Sequence, residues 1–153
     1  MLKLNVDAAI DQNRNKMGFG FVIHDSMGCF ITARCLPWRA AFNPPKPEVM
    51  GIRKALKWIR DLGIDNLQLE SDCQQAILGI FHSYDSVSYF DILLDDVRYI
   101  ASSFVNLSFL FAKRSTNRVA HCLARESLSM SNRIDCFTHP FPSIAHVLSL
   151  DST

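Results

Sequence analysis

A chain of 153 residues, 48% hydrophobic and with a formal net charge of +1, is one domain with enough apolar material to bury a core. The near-neutral balance excludes a globally basic nucleic-acid binder, and the lack of any apolar run of about 18 residues excludes a membrane-spanning helix. The odd count of five cysteines, without tight pairing motifs, and the absence of an apolar N-terminal signal run predict a soluble, intracellular protein in a reducing compartment, nuclear or cytoplasmic.

The charges are segregated along the chain. From Arg34 to Arg60 there are seven basic residues and one acid, Glu48; from Asp61 to Asp96 there are eight acids and no Lys or Arg. Such asymmetry fits either a phosphate-facing side or two solvated faces of opposite sign.

Leu2, Leu4 and Val6 alternate with Lys3, Asn5 and Asp7, which predicts a half-buried strand ending at Asp7. The chain begins directly on this strand, as a fragment of a longer protein would. Gly18–Ile23 and Cys29–Cys35 flank the turn residues Asp25-Ser-Met-Gly28 and predict a hairpin, with the first strand antiparallel beside it. After Asn43-Pro-Pro-Lys-Pro47, a helix is expected from Glu48 to Leu62. Its apolar stripe is Ile52, Ala55, Leu56, Ile59 and Leu62, with Glu48 at the end of that stripe. Asn66–Asp72 reads as a strand parallel to the first, because a helical crossover separates them.

Helices are then expected over Cys73–Phe81 and Tyr89–Phe104, the second with Asp91, Asp95 and Arg98 outward. A strand follows over Asn106–Lys113 and a helix over Arg118–Met130. The organisation is one domain over residues 1–130, with residues 131–153 as a C-terminal tail partly packed on it and one apolar patch at Ile144–Leu148. No internal repeat is visible. The fold class is α/β, a mixed five-stranded sheet flanked by helices.

If the strands ending at Asp7 and Asp72 pair in parallel, Asp7, Glu48 and Asp72 converge at one edge of the sheet. Clustered carboxylates repel unless a cation binds them, and the fitting guest is a hard divalent metal with oxygen ligands. Each acid also has a plainer reading: Asp72 as a helix cap, Glu48 as a first-turn acid favoured by the helix dipole, Asp7 as a turn residue. Cys136 and His139 have the spacing of a zinc pair, but His121 and Cys122 are helical neighbours that point apart.

Five segments, taken together and in order, resemble the type 1 ribonuclease H family, in particular its plant, reverse-transcriptase-derived branch. They are Asn5-Val-Asp-Ala8, Gly18–Asp25 with Gly28, Pro47–Leu56, Leu69-Glu-Ser-Asp72 and Arg114–Ala124. The resemblance covers about Leu2 to Met130 and implies a ribonuclease H-like fold with strand order 3-2-1-4-5. It implies a monomeric endonuclease that hydrolyses the RNA strand of RNA–DNA hybrids with two Mg²⁺ ions, for which Mn²⁺ would substitute. Asp7 would bridge both ions and Glu48 and Asp72 would complete the metal-ligating set. The nucleic-acid-binding residues would be Asn117, which would also order the start of the last helix, with Arg114 and Arg118, which would contact phosphate. The family's fourth acid is replaced here by His121, which would weaken one metal site, favour Mn²⁺, or shuttle a proton. Ala8 stands where glycine is usual, and Pro47 where alanine is. The alternative function is a catalytically degenerate nucleic-acid-binding module of the same fold. Trp38 and Trp58 are expected to be packing residues, with base stacking by Trp38 as the second reading.

Overall fold

A computed structural model describes residues 1–39, 47–82 and 88–136. The elements are β1 (Leu2–Asp11), β2 (Lys16–His24), β3 (Phe30–Arg39), α1 (Pro47–Asp61), β4 (Asn66–Ser71), α2 (Gln74–Phe81), α3 (Tyr89–Ala101), β5 (Asn106–Phe111), α4 (Arg118–Ser127) and β6 (Ile134–Cys136). His139 and the Ile144–Leu148 patch lie outside the described residues.

The expected order holds with one addition: the sheet has six strands, not five, in the order β5-β4-β1-β2-β3-β6. The sixth strand pairs antiparallel with β3 at Ala33–Cys35, so part of the expected tail is sheet. Three residues are too few to show an alternating pattern. What holds them is a forked ion pair, Arg34 Nε and Nη2 donating to Asp135 at 2.7 and 2.9 Å.

β1 pairs antiparallel with β2 and parallel with β4. It runs past Asp7 to Asp11, because Ala8–Asp11 keep their ladder with Lys16–Phe19. Asp7 therefore lies within β1, and not at its end. A short 3₁₀ turn at Gln12–Arg14 closes the hairpin, with Asn15 in the left-handed region at φ 52°.

The sheet has two covered faces. Leu4, Val6, Phe19, Phe21 and Ile23 meet the buried stripe of α1, Ile52, Ala55, Leu56 and Ile59. Pro47 opens α1, where its missing N–H leaves no intrahelical bond unmade. Trp58 lies in this core with its ring 5.8 Å from Phe21 and the Arg34 guanidinium 5.0 Å from its centroid. α3 packs outside α1 through Leu93, Leu94, Val97 and Ile100. Two polar residues expected outward on α3 turn inward. Asp91 is buried and accepts from Ser88 Oγ at 2.5 Å, while Arg98 donates to Gly79 O, Ile80 O and His82 O, satisfying the C-terminal carbonyls of α2.

On the other face α4 covers β1, β2 and β3 through Val119, Ala120 and Leu123, against Val22, Ala33 and Cys35. It sits unusually close because β2 presents glycine there. A Cβ on Gly20 would fall 2.2 Å from Ala120 O and 2.5 Å from Ala124 N; one on Gly18 would fall 2.1 Å from Ser127 Oγ. The Gly20 contacts are to helix backbone, as is a Gly18 contact 2.3 Å from Ala124 O, so they cannot yield without lifting the helix.

Gly20→Ala should therefore destabilise by at least the roughly 1–3 kcal/mol of ordinary overpacking. Denaturant unfolding checks this: the midpoint should drop, whereas Gly51→Ala, whose Cβ meets only the Phe19 and Val6 side chains at 3.1 and 3.5 Å, should change it less.

Candidate active site

The β1–β4 ladder ends at the pair Val6 and Ser71. Asp7 and Asp72 are the next residue on each strand, so both carboxylates stand where the two parallel strands part. A crevice at the carboxyl ends of parallel strands is where open α/β sheets bind ligands. Asp7 is only 4% exposed and the Asp72 side chain only 12%. Burial, together with the facing Asp72 charge, holds the Asp7 carboxyl above the usual carboxylate range, against a downward pull from His121.

α4 supplies the groups that meet β1. Asn5 and Asp7 project on one face of the strand, about 7 Å apart. Asn117 and His121 project from one face of the helix, about 6 Å apart. The two spacings match, and two rungs form. His121 Nδ1 donates to Asp7 Oδ2 at 2.8 Å, and Asn5 Nδ2 donates to Asn117 Oδ1 at 3.0 Å. Asn117 Nδ2 returns a bond to Val6 O at 3.1 Å, so both buried amides are oriented without ambiguity. Asn5 also donates to Glu70 Oε2 at 3.1 Å and accepts from His24 Nε2 at 2.9 Å.

Asn117 ties the start of α4 to β1, and its side chain makes no cap to its own helix. Asn5, Glu70 and His24 were given no role from the sequence. The signal was present in the matching of a two-residue strand spacing to a four-residue helix spacing.

The remaining expected site residues are placed as follows. Arg114 Nε lies 3.7 Å from Asp72 Oδ2, with the Arg114 side chain 73% exposed. Arg118 is exposed at the start of α4. Glu48 is half-buried in the first turn of α1, one turn before Gly51, which packs over Val6 beside Asp7. The capping reading of Asp72 does not hold: Cys73 is the N-cap residue of α2, no side chain caps that helix, and Ser71 Oγ takes the Cys73 N–H at 3.1 Å.

Among the described residues no three His, Cys, Asp or Glu side chains are assembled at ligating distances. The structure brings Asp7, Asp72 and His121 together at the β1–β4 fork, with Glu48 in the first turn of α1. A hard divalent cation suits this donor set. Two poorly solvated carboxylates face each other there, and each offers oxygen. His121 is committed to Asp7 through Nδ1, so it serves as an orienting donor at that nitrogen and not as a ligand.

The family model described as reverse transcriptase-like matches residues 5–127, from Asn5 of the first rung to the end of α4. The chain belongs to this family. Its ribonuclease H-like fold is shared with the type 1 RNase H enzymes. RNase H1 from the halophilic archaeon Halobacterium salinarum NRC-1 superposes with a TM-score of 0.74 at 23% identity, over 83% of this chain and 96% of that one. LC11-RNase H1, isolated from compost by a metagenomic approach and solved in complex with an RNA/DNA hybrid, gives 0.72 at 19% identity, over 84% and 96%. The N-terminal RNase H domain of a Mycobacterium tuberculosis protein gives 0.70 at 17%, over 83% and 92%. No curated protein matches the chain.

The raised Asp7 carboxyl has a stability consequence with a definite sign. An acid whose folded value lies above its unfolded one binds more protons when folded, so stability falls as pH rises from about 4 through the folded value and stays lowered above it. Asp7→Asn keeps an acceptor for His121 and removes the buried charge. It should raise Tm at pH 7, by roughly 2–4 °C for each kcal/mol relieved in a chain of this size. The gain should vanish towards pH 4, as thermal melts of both chains across that range would read.

Proposed function

We propose that this protein is a divalent-metal-dependent endonuclease that hydrolyses the RNA strand of RNA–DNA hybrids. The observation that carries the reading is the pairing of the Asp7 and Asp72 carboxylates at the fork between β1 and β4, with His121 hydrogen-bonded to Asp7. It is supported by the ribonuclease H-like fold and by the likeness to an RNase H1 that binds an RNA/DNA hybrid.

Asp7 and Asp72 would hold the cation, with Glu48 contributing from the first turn of α1. A divalent ion there would supply a water made acidic enough to attack phosphorus and a positive charge for the leaving oxygen. The rest of the chemistry falls to the chain. The His121 Nδ1–H fixes one Asp7 oxygen, and the other would serve the cation. The other edge of the imidazole, when the ring is the doubly protonated imidazolium, would give its Nε2 proton to the departing 3′ oxygen. Arg114, mostly exposed and beside Asp72, is placed to meet a phosphate oxygen and would trade its carboxylate for the substrate. Arg118, exposed on the next turn, would add a second phosphate contact. A hybrid would be read through its backbone shape and 2′-hydroxyls, not through base identity. In-line attack by water leaves a 3′-hydroxyl and a 5′-phosphate.

Replacement of the family's fourth acid by His121 lowers the negative charge of the site by one. This favours Mn²⁺, which accepts nitrogen-rich and incomplete oxygen sets more readily than Mg²⁺. It is also the observation that favours the second reading, a binding module without turnover.

Cleavage of an end-labelled hybrid in Mg²⁺ and in Mn²⁺ separates the two readings. Wild-type chain should cut, faster in Mn²⁺. Asp72→Asn should lose at least about 100-fold, the scale of a lost charged group at a reacting centre. His121→Asp should shift the preference towards Mg²⁺. No cutting in either metal, even by a folded His121→Asp chain, leaves the binding module.

A further inference from the structure

A cavity of about 480 Å³ opens on the α4 face of the sheet, beside the first turn of α4. Lys3 and Asn5 of β1 and Glu70 of β4 form its floor, and the segment that leads from β5 into α4 walls it with Lys113, Ser115 and Asn117. None of Asp7, Glu48, Asp72 and His121 lines it, so the acid site does not use it.

Several donors on this wall are unspent. Lys3 and Lys113 make no ion pair among the described residues. Asn117 is only 1% exposed, and its amide nitrogen gives one hydrogen to Val6 O. The second hydrogen has no acceptor among the described residues, an unusual state for a buried amide. The N–H groups that open α4 beside it have no side-chain cap. Donors grouped in this way fit an anion. The spare acceptor is Glu70: its Oε2 takes the Asn5 amide at 3.1 Å, and its Oε1 has no donor among the described residues. Val22, Phe111 and Val119 add apolar surface.

We propose that this cavity binds a nucleoside 5′-monophosphate, with the phosphate on Lys3, Lys113 and the Asn117 amide, the ribose hydroxyls on Glu70 and the base against the apolar wall. A phosphomonoester carries close to two negative charges at neutral pH, which two ammonium groups and an amide match. A carboxylate repels the phosphate but accepts from a ribose diol, the way acidic side chains hold nucleotide riboses. Phosphate alone would leave Glu70 and the apolar wall without a partner. Clefts of about 300–1,000 Å³ hold ligands of this size, so a single nucleotide fits where a duplex does not. Asn5 and Asn117 also form the rung next to Asp7 and His121, so their side-chain amides report occupancy.

The test is titration of the whole chain in EDTA with adenosine 5′-monophosphate, adenosine and inorganic phosphate, followed by backbone and side-chain amide resonances. The nucleotide should bind saturably at about 1 mM or tighter, more tightly than either part, and shift the Asn5 and Asn117 side-chain amides together with Lys113 and Val119. Lys3→Ala/Lys113→Ala, with an unchanged melting temperature, should weaken it about 10-fold or more. Glu70→Gln should weaken the nucleotide and leave inorganic phosphate bound at least as well. No saturable binding to the wild-type chain, equal affinity in the folded double variant, or shifts centred on Asp7 and Asp72 overturns the proposal. Phosphate that binds as tightly as the nucleotide reduces the site to a simple anion point and overturns it too. A 5′-phosphorylated RNA–DNA hybrid that shifts these amides where the free nucleotide shifts none assigns the cavity to a strand end, and also overturns it.

Discussion

The close seat of α4 on the glycine face of β2 is the constraint on which the site depends. With side chains at positions 18 and 20, the helix would stand off the sheet and neither rung to β1 would reach. Because Gly18 and Gly20 present only backbone to Ala120, Ala124 and Ser127, the helix lies flat. Asn117 then meets Asn5, and His121 meets Asp7. Packing density sets the distance and hydrogen bonding sets the register. Asp7 is the residue that both fix.

That fixing creates an electrostatic debt. Asp7 is held nearly out of water, and its strand parts from β4 at the point where Asp72 follows. Burial there, with the Asp72 charge beside it, raises the proton affinity of Asp7. Within the chain, His121 and the exposed Arg114 answer the charge only in part. On the proposed reading a divalent cation would answer the rest and would bring the water that a phosphodiester needs. The buried polar network behind the rung, Asn5 with Glu70, His24 and Asn117, holds the strand so that the carboxylates cannot relax apart. Such fully satisfied networks rigidify the groups they contain.

Most of this was legible in the sequence. Alternation placed β1, the 3.6-residue stripe of Ile52, Leu56 and Ile59 placed α1, and the crossover forced β1 and β4 to run parallel. Together these put Asp7 and Asp72 at one edge of the sheet. Three things were not legible, each for a physical reason. β6 is too short for a period and is held by tertiary contacts, its ladder with β3, the Arg34–Asp135 ion pair and the Thr32 hydroxyl on Cys136 O. The end of β1 does not show in the pattern because Ala8–Asp11 are kept in the ladder by their β2 partners. Asp91 and Arg98 turned inward because they satisfy helix ends, a demand that a hydrophobic pattern does not register. At the site, the Asp7–His121 and Asn5–Asn117 rungs needed the glycine seat to be known first.

Direct titration of the chain with Mn²⁺, followed by calorimetry and by paramagnetic broadening of backbone resonances, tests the central claim independently of turnover. The account predicts saturable binding that broadens residues around Asp7 and Asp72 first and is lost in Asp7→Asn and in Asp72→Asn, while both variants remain folded. Saturable binding of equal strength in both variants, or broadening centred away from the β1–β4 fork, would contradict it.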